Sequence, residues 1–262
     1  MKGREKNSIV MFISVFSYKK NRSWINLSRI IYKRKKLLRV YENSHITHKV
    51  RSFSINFLYD CVIFIEHLLI RNSYTNLISN RTTYNLYKKH IVDSLTLLSI
   101  FGSLWPNSRK RCCLDVGTGG GFPGFVLTLL FPHFFFCLLD SIKRKIQFHY
   151  KISIVLKLRN CSLLCTRAEL MGSIKKHTMS YDFVLIRAVS AFPKLIGFCI
   201  PLLKSSGKLF ILKKIKNIHN EICNCSFFLS SYRSKIKSLI TTSLVKEGKV
   251  VLTVNRCKIL DI

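Results

Sequence analysis

Five of the chain's 11 glycines fall within Leu114-Asp115-Val116-Gly117-Thr118-Gly119-Gly120-Gly121-Phe122-Pro123-Gly124. Glycine permits positive φ and lets backbone approach a ligand closely, and a following helix start offers unpaired N–H groups, so a loop of this kind cradles part of a nucleotide-like cofactor. Gly119-x-Gly121-x-x-Gly124 matches the dinucleotide fingerprint, a weak match on its own. Here, however, an acid, Asp115, precedes Gly117-x-Gly119-x-Gly121 by two residues. A carboxylate there suits a ligand with an ammonium or sulfonium charge, such as S-adenosyl-L-methionine, and suits a pyrophosphate poorly. Asp140 follows 25 residues after Asp115 (140 − 115), where an acid at a strand end accepts ribose hydroxyl protons from either cofactor type. Glu169 and Asp182 complete a set of four acids expected near one crevice, in a chain that has only 12 Asp and Glu, although Asp182 fits a structural role as readily.

The flanking sequence supplies the elements these groups need. Cys112 to Val116 is a short apolar run that reads as a buried parallel strand, and Pro123 suits the first turn of a helix over Phe125 to Phe131. Phe134 to Leu139, Cys161 to Cys165, Tyr181 to Ile186 and Lys208 to Leu212 read as further strands, with helices over Ser141 to Leu158 and Leu195 to Leu203. Ser205-Ser206-Gly207 reads as a turn, and Lys249 to Val254 as pairing antiparallel with Ser238 to Val245 across Glu247-Gly248. Upstream, Ile55 to Leu69 carries a helical apolar stripe, and a second helix is expected from Tyr84 through Ile100. His90, Asp93 and Ser94 share one face of it at spacing i, i+3, i+4, fit either for contact with cofactor or substrate or for a helix-packing cluster. Strands alternating with helices imply a mostly parallel, doubly wound sheet with ligands at the carboxyl ends of its strands.

The order of these motifs resembles the RsmG (GidB) family of small-subunit ribosomal RNA methyltransferases. The resemblance rests on the Leu114–Gly124 loop, Leu138-Leu139-Asp140-Ser141 with its following Lys-Arg-Lys, Arg167-Ala168-Glu169, Tyr181-Asp182 leading to Arg187-Ala188, and upstream Asn76-Leu77 with His90-x-x-Asp93-Ser94. It implies a class I S-adenosylmethionine-dependent methyltransferase, Rossmann-like with a mostly parallel seven-stranded sheet and an N-terminal helical cap over residues 54–104 of a 54–262 domain. It further implies methyl transfer to N7 of a guanosine in the 530 loop of 16S rRNA, free or in an assembling small ribosomal subunit. By the same resemblance Gly117, Phe122, Ala168, Glu169 and Arg187 fall on cofactor-binding positions, joined by Asp115, Gly119, Gly121 and Asp140 from the loop and its acids. Gly120 departs from the family, standing where a proline is usual, and residues 1–53 have no counterpart there.

The absent motifs agree. Exocyclic-amine methylation typically uses Asn or Asp followed by Pro-Pro and an aromatic after the fourth strand, where this chain has Ile186-Arg187-Ala188-Val189, and no Pro-Cys dipeptide offers a nucleophile for cytosine C5. Guanine N7 already presents an in-plane lone pair, so no catalytic acid or base is assigned; Arg187 is expected to hold a cofactor carboxylate or to guide RNA. The alternatives are a noncatalytic RNA-binding assembly factor that keeps the cofactor fold and an NAD-type oxidoreductase, the latter disfavoured by Asp115.

Charge bears on the partner. Lys and Arg number 44, giving a net charge of +32, which favours a polyanion through counterion release, although an AT-rich genome accounts for part of such a composition. Residues 1–50 carry 13 of these cations against Glu5 and Glu42, which fits a poorly ordered basic arm touching RNA nonspecifically or an organellar targeting peptide. The ten cysteines lack zinc spacing and read as buried reduced thiols of a cytoplasmic protein. No apolar stretch reaches membrane-spanning length uninterrupted, and a monomer is expected.

Overall fold

The computed structural model describes residues 55–79, 90–97, 110–187, 197–214, 236–242 and 249–256. The basic arm, most of the second cap helix and the Glu247-Gly248 turn lie outside them. In chain order the elements are α1 (Ile55–Thr75), α2 (Val92–Leu95), β1 (Cys112–Val116), α3 (Gly124–Leu130), β2 (Phe135–Leu139), α4 (Lys143–Val155), β3 (Cys161–Leu164), α5 (Ala168–Met171), β4 (Tyr181–Arg187), β5 (Leu203–Lys214), β6 (Ile236–Thr242) and β7 (Lys249–Arg256). The seven strands form one sheet in the order β3-β2-β1-β4-β5-β7-β6. The first five are parallel, and β7 and β6 close the edge antiparallel. Strand order reverses between β1 and β4, which opens a crevice at their carboxyl ends.

The inner strands are apolar on both faces because both faces are covered. Their two-residue period sorts side chains by parity. Cys113, Phe136, Leu138, Phe183, Leu185 and Phe210 join the core under α1, α3 and α4, whereas Leu114, Val116, Cys137, Leu139, Val184 and Ile186 join the opposite core. The first core is aromatic: Phe64 of α1 stacks on Phe125 of α3 with ring centres 4.6 Å apart. Every residue of α3 is buried between sheet and cap, so this short helix has no polar face. Asn160 closes the α3–β2 connection by donating to the carbonyls of Thr128, Phe131 and Phe134.

Several sequence expectations shift. Helix α1 continues to Thr75 rather than fading at Leu69, while the second cap helix stops at Leu95 with a turn at Thr96 and Leu97. Helix α4 is shorter at both ends than 141–158, and the expected 195–203 helix is α-helical at 197–199 and tightens into a 3-10 turn over Ile200–Leu202, where Pro201 cannot donate to an α-helical ladder. The expected antiparallel pairing of 238–245 with β7 is present over Ser238–Thr242 and begins two residues earlier, at Ile236, while 243–245 lie outside the described residues.

Ser205-Ser206-Gly207 is no turn between elements. It lies within β5, where pairing jumps from Tyr181↔Leu203 to Phe183↔Lys208, so the intervening residues bulge outward. A Cβ on Gly207 would sit 2.9 Å from the Tyr181 carbonyl oxygen. The bulge brings Lys204 Nζ within 2.8 Å of Asp182. Seven described cysteines are free thiols; Cys165 is the exposed one, contrary to the expectation of burial. Among the described residues no helix is long and apolar enough to cross a membrane.

Candidate cofactor site

Asp115 has the parity of Cys113 and therefore points under α3 and the cap instead of into open crevice. It is fully buried, and its Oδ2 accepts the Gly124 N–H at 3.0 Å, the first amide of α3. A Cβ on Gly124 would collide with that carboxylate and with Leu138, so glycine is what lets helix and strand approach. Burial raises the Asp115 carboxyl to about 6, against the lowering effects of Thr118, the Gly124 amide and Arg187. The Thr118 hydroxyl lies near enough to the carboxylate to lower it, but neither that hydroxyl nor Asp115 Oδ1, both buried, makes a hydrogen bond of good geometry.

The loop is folded by three positive-φ glycines, Gly117 (74°), Gly119 (58°) and Gly121 (100°). Gly117 and Thr118 donate to the Leu139 carbonyl at 2.8 and 2.9 Å, tying the end of β1 to the end of β2, and the Gly119 N–H donates to Asp140 Oδ2 at 3.0 Å. Asp140 also accepts from the Ile142 amide at 2.9 Å and from Lys145 Nζ at 3.3 Å. The acid assigned to ribose is thus first a brace for the loop, with lone-pair capacity left chiefly on Oδ1.

His149, which sequence reasoning passed over, holds the loop from the other side. Its Nε2 donates to the Gly119 carbonyl at 2.9 Å, and the ring is fully buried beside Phe125 and Phe148. Burial lowers its pKa to about 4, so the imidazole is neutral. The available signal was a histidine on the buried stripe of α4, between Phe148 and Ile152.

Phe122 does not turn its ring to the crevice. It is buried, stacked on His90 at 4.7 Å and edge-on to Phe64 at 5.6 Å, which leaves only its backbone for a cofactor. Ala168 and Glu169 open α5 beyond the carboxyl end of β3, with Glu169 exposed. Arg187 ends β4 one residue past Ile186, the partner of Val116. Its Nη2 donates to His90 Nδ1 at 2.9 Å and to Asp93 Oδ2 at 3.1 Å, two groups that the cap supplies. Ser94 is buried and donates to the His90 carbonyl at 2.7 Å, which makes it a helix-packing residue.

The carboxyl ends of β3, β2, β1 and β4 therefore carry Glu169, Asp140, the glycine loop and Arg187 in spatial order. Asp182 does not join them. It lies at the amino end of β4, where it accepts from Arg111 (3.2 Å), Lys204 (2.8 Å) and the Cys112 amide (2.9 Å) and clamps three strands. S-adenosylmethionine fits the crevice on one observation above all: a loop curved by three positive-φ glycines at the carboxyl end of β1, tied to Asp140 at the end of β2, with the buried Asp115 charge beneath it. Asp140, Gly117, Gly119 and Gly121 would hold it, with Asp115 acting through its charge and Glu169 and Arg187 at either flank. No group of three or more His, Cys, Asp or Glu suited to a metal occurs among the described residues.

Residues 58–245 match the family model described as rRNA small subunit methyltransferase G. A ribosomal RNA small subunit methyltransferase G of Bacillus licheniformis is 36% identical over 160 residues, which cover 61% of this chain and 64% of that protein. Its namesake in Bacillus subtilis is 33% identical over 179 residues, covering 68% of this chain and 73% of that one. The chain thus spans a little under two thirds of the first of these relatives and somewhat more of the second. Among solved structures, the CurJ carbon methyltransferase superposes with a TM-score of 0.52 at 14% identity, over 95% of this chain and 78% of that one, a likeness of fold.

Proposed function

We propose that this chain, which belongs to the rRNA small subunit methyltransferase G family, transfers methyl from S-adenosylmethionine to N7 of a guanosine in the 530 loop of 16S rRNA, free or in an assembling small subunit. It acts as a cytoplasmic monomer. The observation that carries the reading is the buried Asp115 carboxylate under the positive-φ loop, with Asp140 bracing that loop from β2.

When bound, the cofactor supplies an electrophilic methyl on sulfonium. The chain's part is placement. Asp115 offers negative charge in a dry environment, where it acts on a cation far more strongly than in water. His149 and Asp140 fix Gly119 from its two sides, so the loop needs little reorganisation on binding. Arg187, held by His90 and Asp93, offers a guanidinium at the carboxyl end of β4 for a carboxylate or an RNA phosphate. Guanine N7 brings its own lone pair, so alignment and exclusion of water replace acid–base catalysis.

The deciding experiment incubates labelled cofactor with undermethylated small-subunit RNA or particles and tests the product for strand scission specific to N7-methylguanosine. Labelled RNA that resists that scission overturns the N7 assignment. Calorimetry on Gly119→Asp checks the site: a new carboxylate beside Asp140 should abolish cofactor binding, and unchanged affinity would remove the loop from the assignment.

A further inference from the structure

Away from the crevice, α1 and α4 run side by side and leave a groove of about 220 Å³ between them. Its floor is Phe148 and Ile152, both buried, and its walls include Ile70 and Tyr74. Arg71 and Lys151 stand among the lining residues, which include no carboxylate. Tyr74 is 80% exposed, the most of any large apolar side chain among the described residues, and Ile70 beside it is 58% exposed.

Helix α4 connects this groove to the cofactor site. It runs from Lys143 to Val155 without a single acid, its exposed Lys143 and Arg144 begin beside Asp140, and its exposed Lys151 lies two turns on at the groove. Cations spaced along a helix with an aromatic and an apolar slot between them are what a single nucleic-acid strand requires, phosphates on the charges and a base face on the ring. An acidic protein helix would also meet the charges, but the chain's net charge of +32 favours a polyanion with a charge at every residue.

Resting on the RNA reading above, we infer that the α1–α4 groove is a second RNA contact: it takes one unpaired base against Tyr74, with the flanking phosphates on Arg71 and Lys151, and thereby orients the strand that enters the crevice along α4.

The test uses the full chain and a fluorescein-labelled single-stranded oligoribonucleotide containing the target loop, with anisotropy read across a salt series and calorimetry of S-adenosylmethionine as the control for folding. Tyr74→Ala should weaken RNA binding about tenfold while Tyr74→Phe, which keeps the ring, stays near wild type. Arg71→Ala and Lys151→Ala should each lower the slope of log affinity against log salt by about 0.7. Cofactor affinity should be unchanged in all of them. Wild-type RNA affinity and salt slope in the three alanine variants overturn the groove assignment, as does a loss seen only with assembled particles and not with naked RNA, which would place a protein there. If the wild-type chain itself neither binds nor methylates RNA, the functional reading is overturned and the groove assignment with it.

Discussion

At the scale of single residues, two buried titratable groups pull in opposite directions. Asp115, raised to about 6, favours folding when protonated; that contribution is full below about pH 4 and is lost as pH rises through 6. Asp115→Asn keeps an acceptor for the Gly124 amide and removes the charge. It should therefore match wild type in acid and be more stable at neutral pH, by roughly 3 kcal/mol at about 1.4 kcal/mol for each pH unit that separates the buried carboxyl from an ordinary one. It should also bind S-adenosylmethionine more weakly. Urea denaturation at pH 4 and pH 7.5, with calorimetry, checks both signs. His149, lowered to about 4, contributes stability present above about pH 6.5 that is lost as pH falls toward 4. His149→Gln, which keeps a donor for the Gly119 carbonyl, should flatten the acid limb of the thermal midpoint; an unchanged limb would mean that another group governs acid sensitivity. Asp115 was legible in the sequence because an acid in an apolar strand is anomalous. His149 was not, because its bond is to a backbone carbonyl 30 residues away.

At the scale of elements, close approach and strand pairing set the geometry. Gly124→Ala should wedge α3 off β1 and cost about 1–3 kcal/mol, seen as a lower denaturation midpoint with cofactor affinity falling alongside. Asp182→Asn should also destabilise, by about 1–3 kcal/mol through loss of charged hydrogen bonds, but with cofactor affinity intact, because its partners Arg111 and Lys204 stand at the amino ends of strands. An affinity loss in Asp182→Asn would return this acid to the crevice. The strands and α4 were legible because buried parallel strands and a one-faced helix have distinct patterns. The β5 bulge was not: Ser-Ser-Gly has the composition of a turn, and only the partner strand shows that the chain continues in the sheet. The parity that sends Asp115 beneath α3 becomes readable once the register is known.

At the scale of the whole molecule, the charge and the cofactor site should separate experimentally. RNA affinity should fall by orders of magnitude between about 50 and 200 mM salt if six or more phosphates are engaged, whereas S-adenosylmethionine affinity, resting on buried groups, should change little; parallel salt dependence of the two would argue against distinct sites. The cap is joined to the sheet domain at the site itself, through Arg187 with His90 and Asp93 and through Ile78 lying where a side chain on Gly120 would go. That last contact couples two positions 42 residues apart (120 − 78): a side chain at 120 requires Ile78 to move, and the cap residue at 78 sets how much room the loop has.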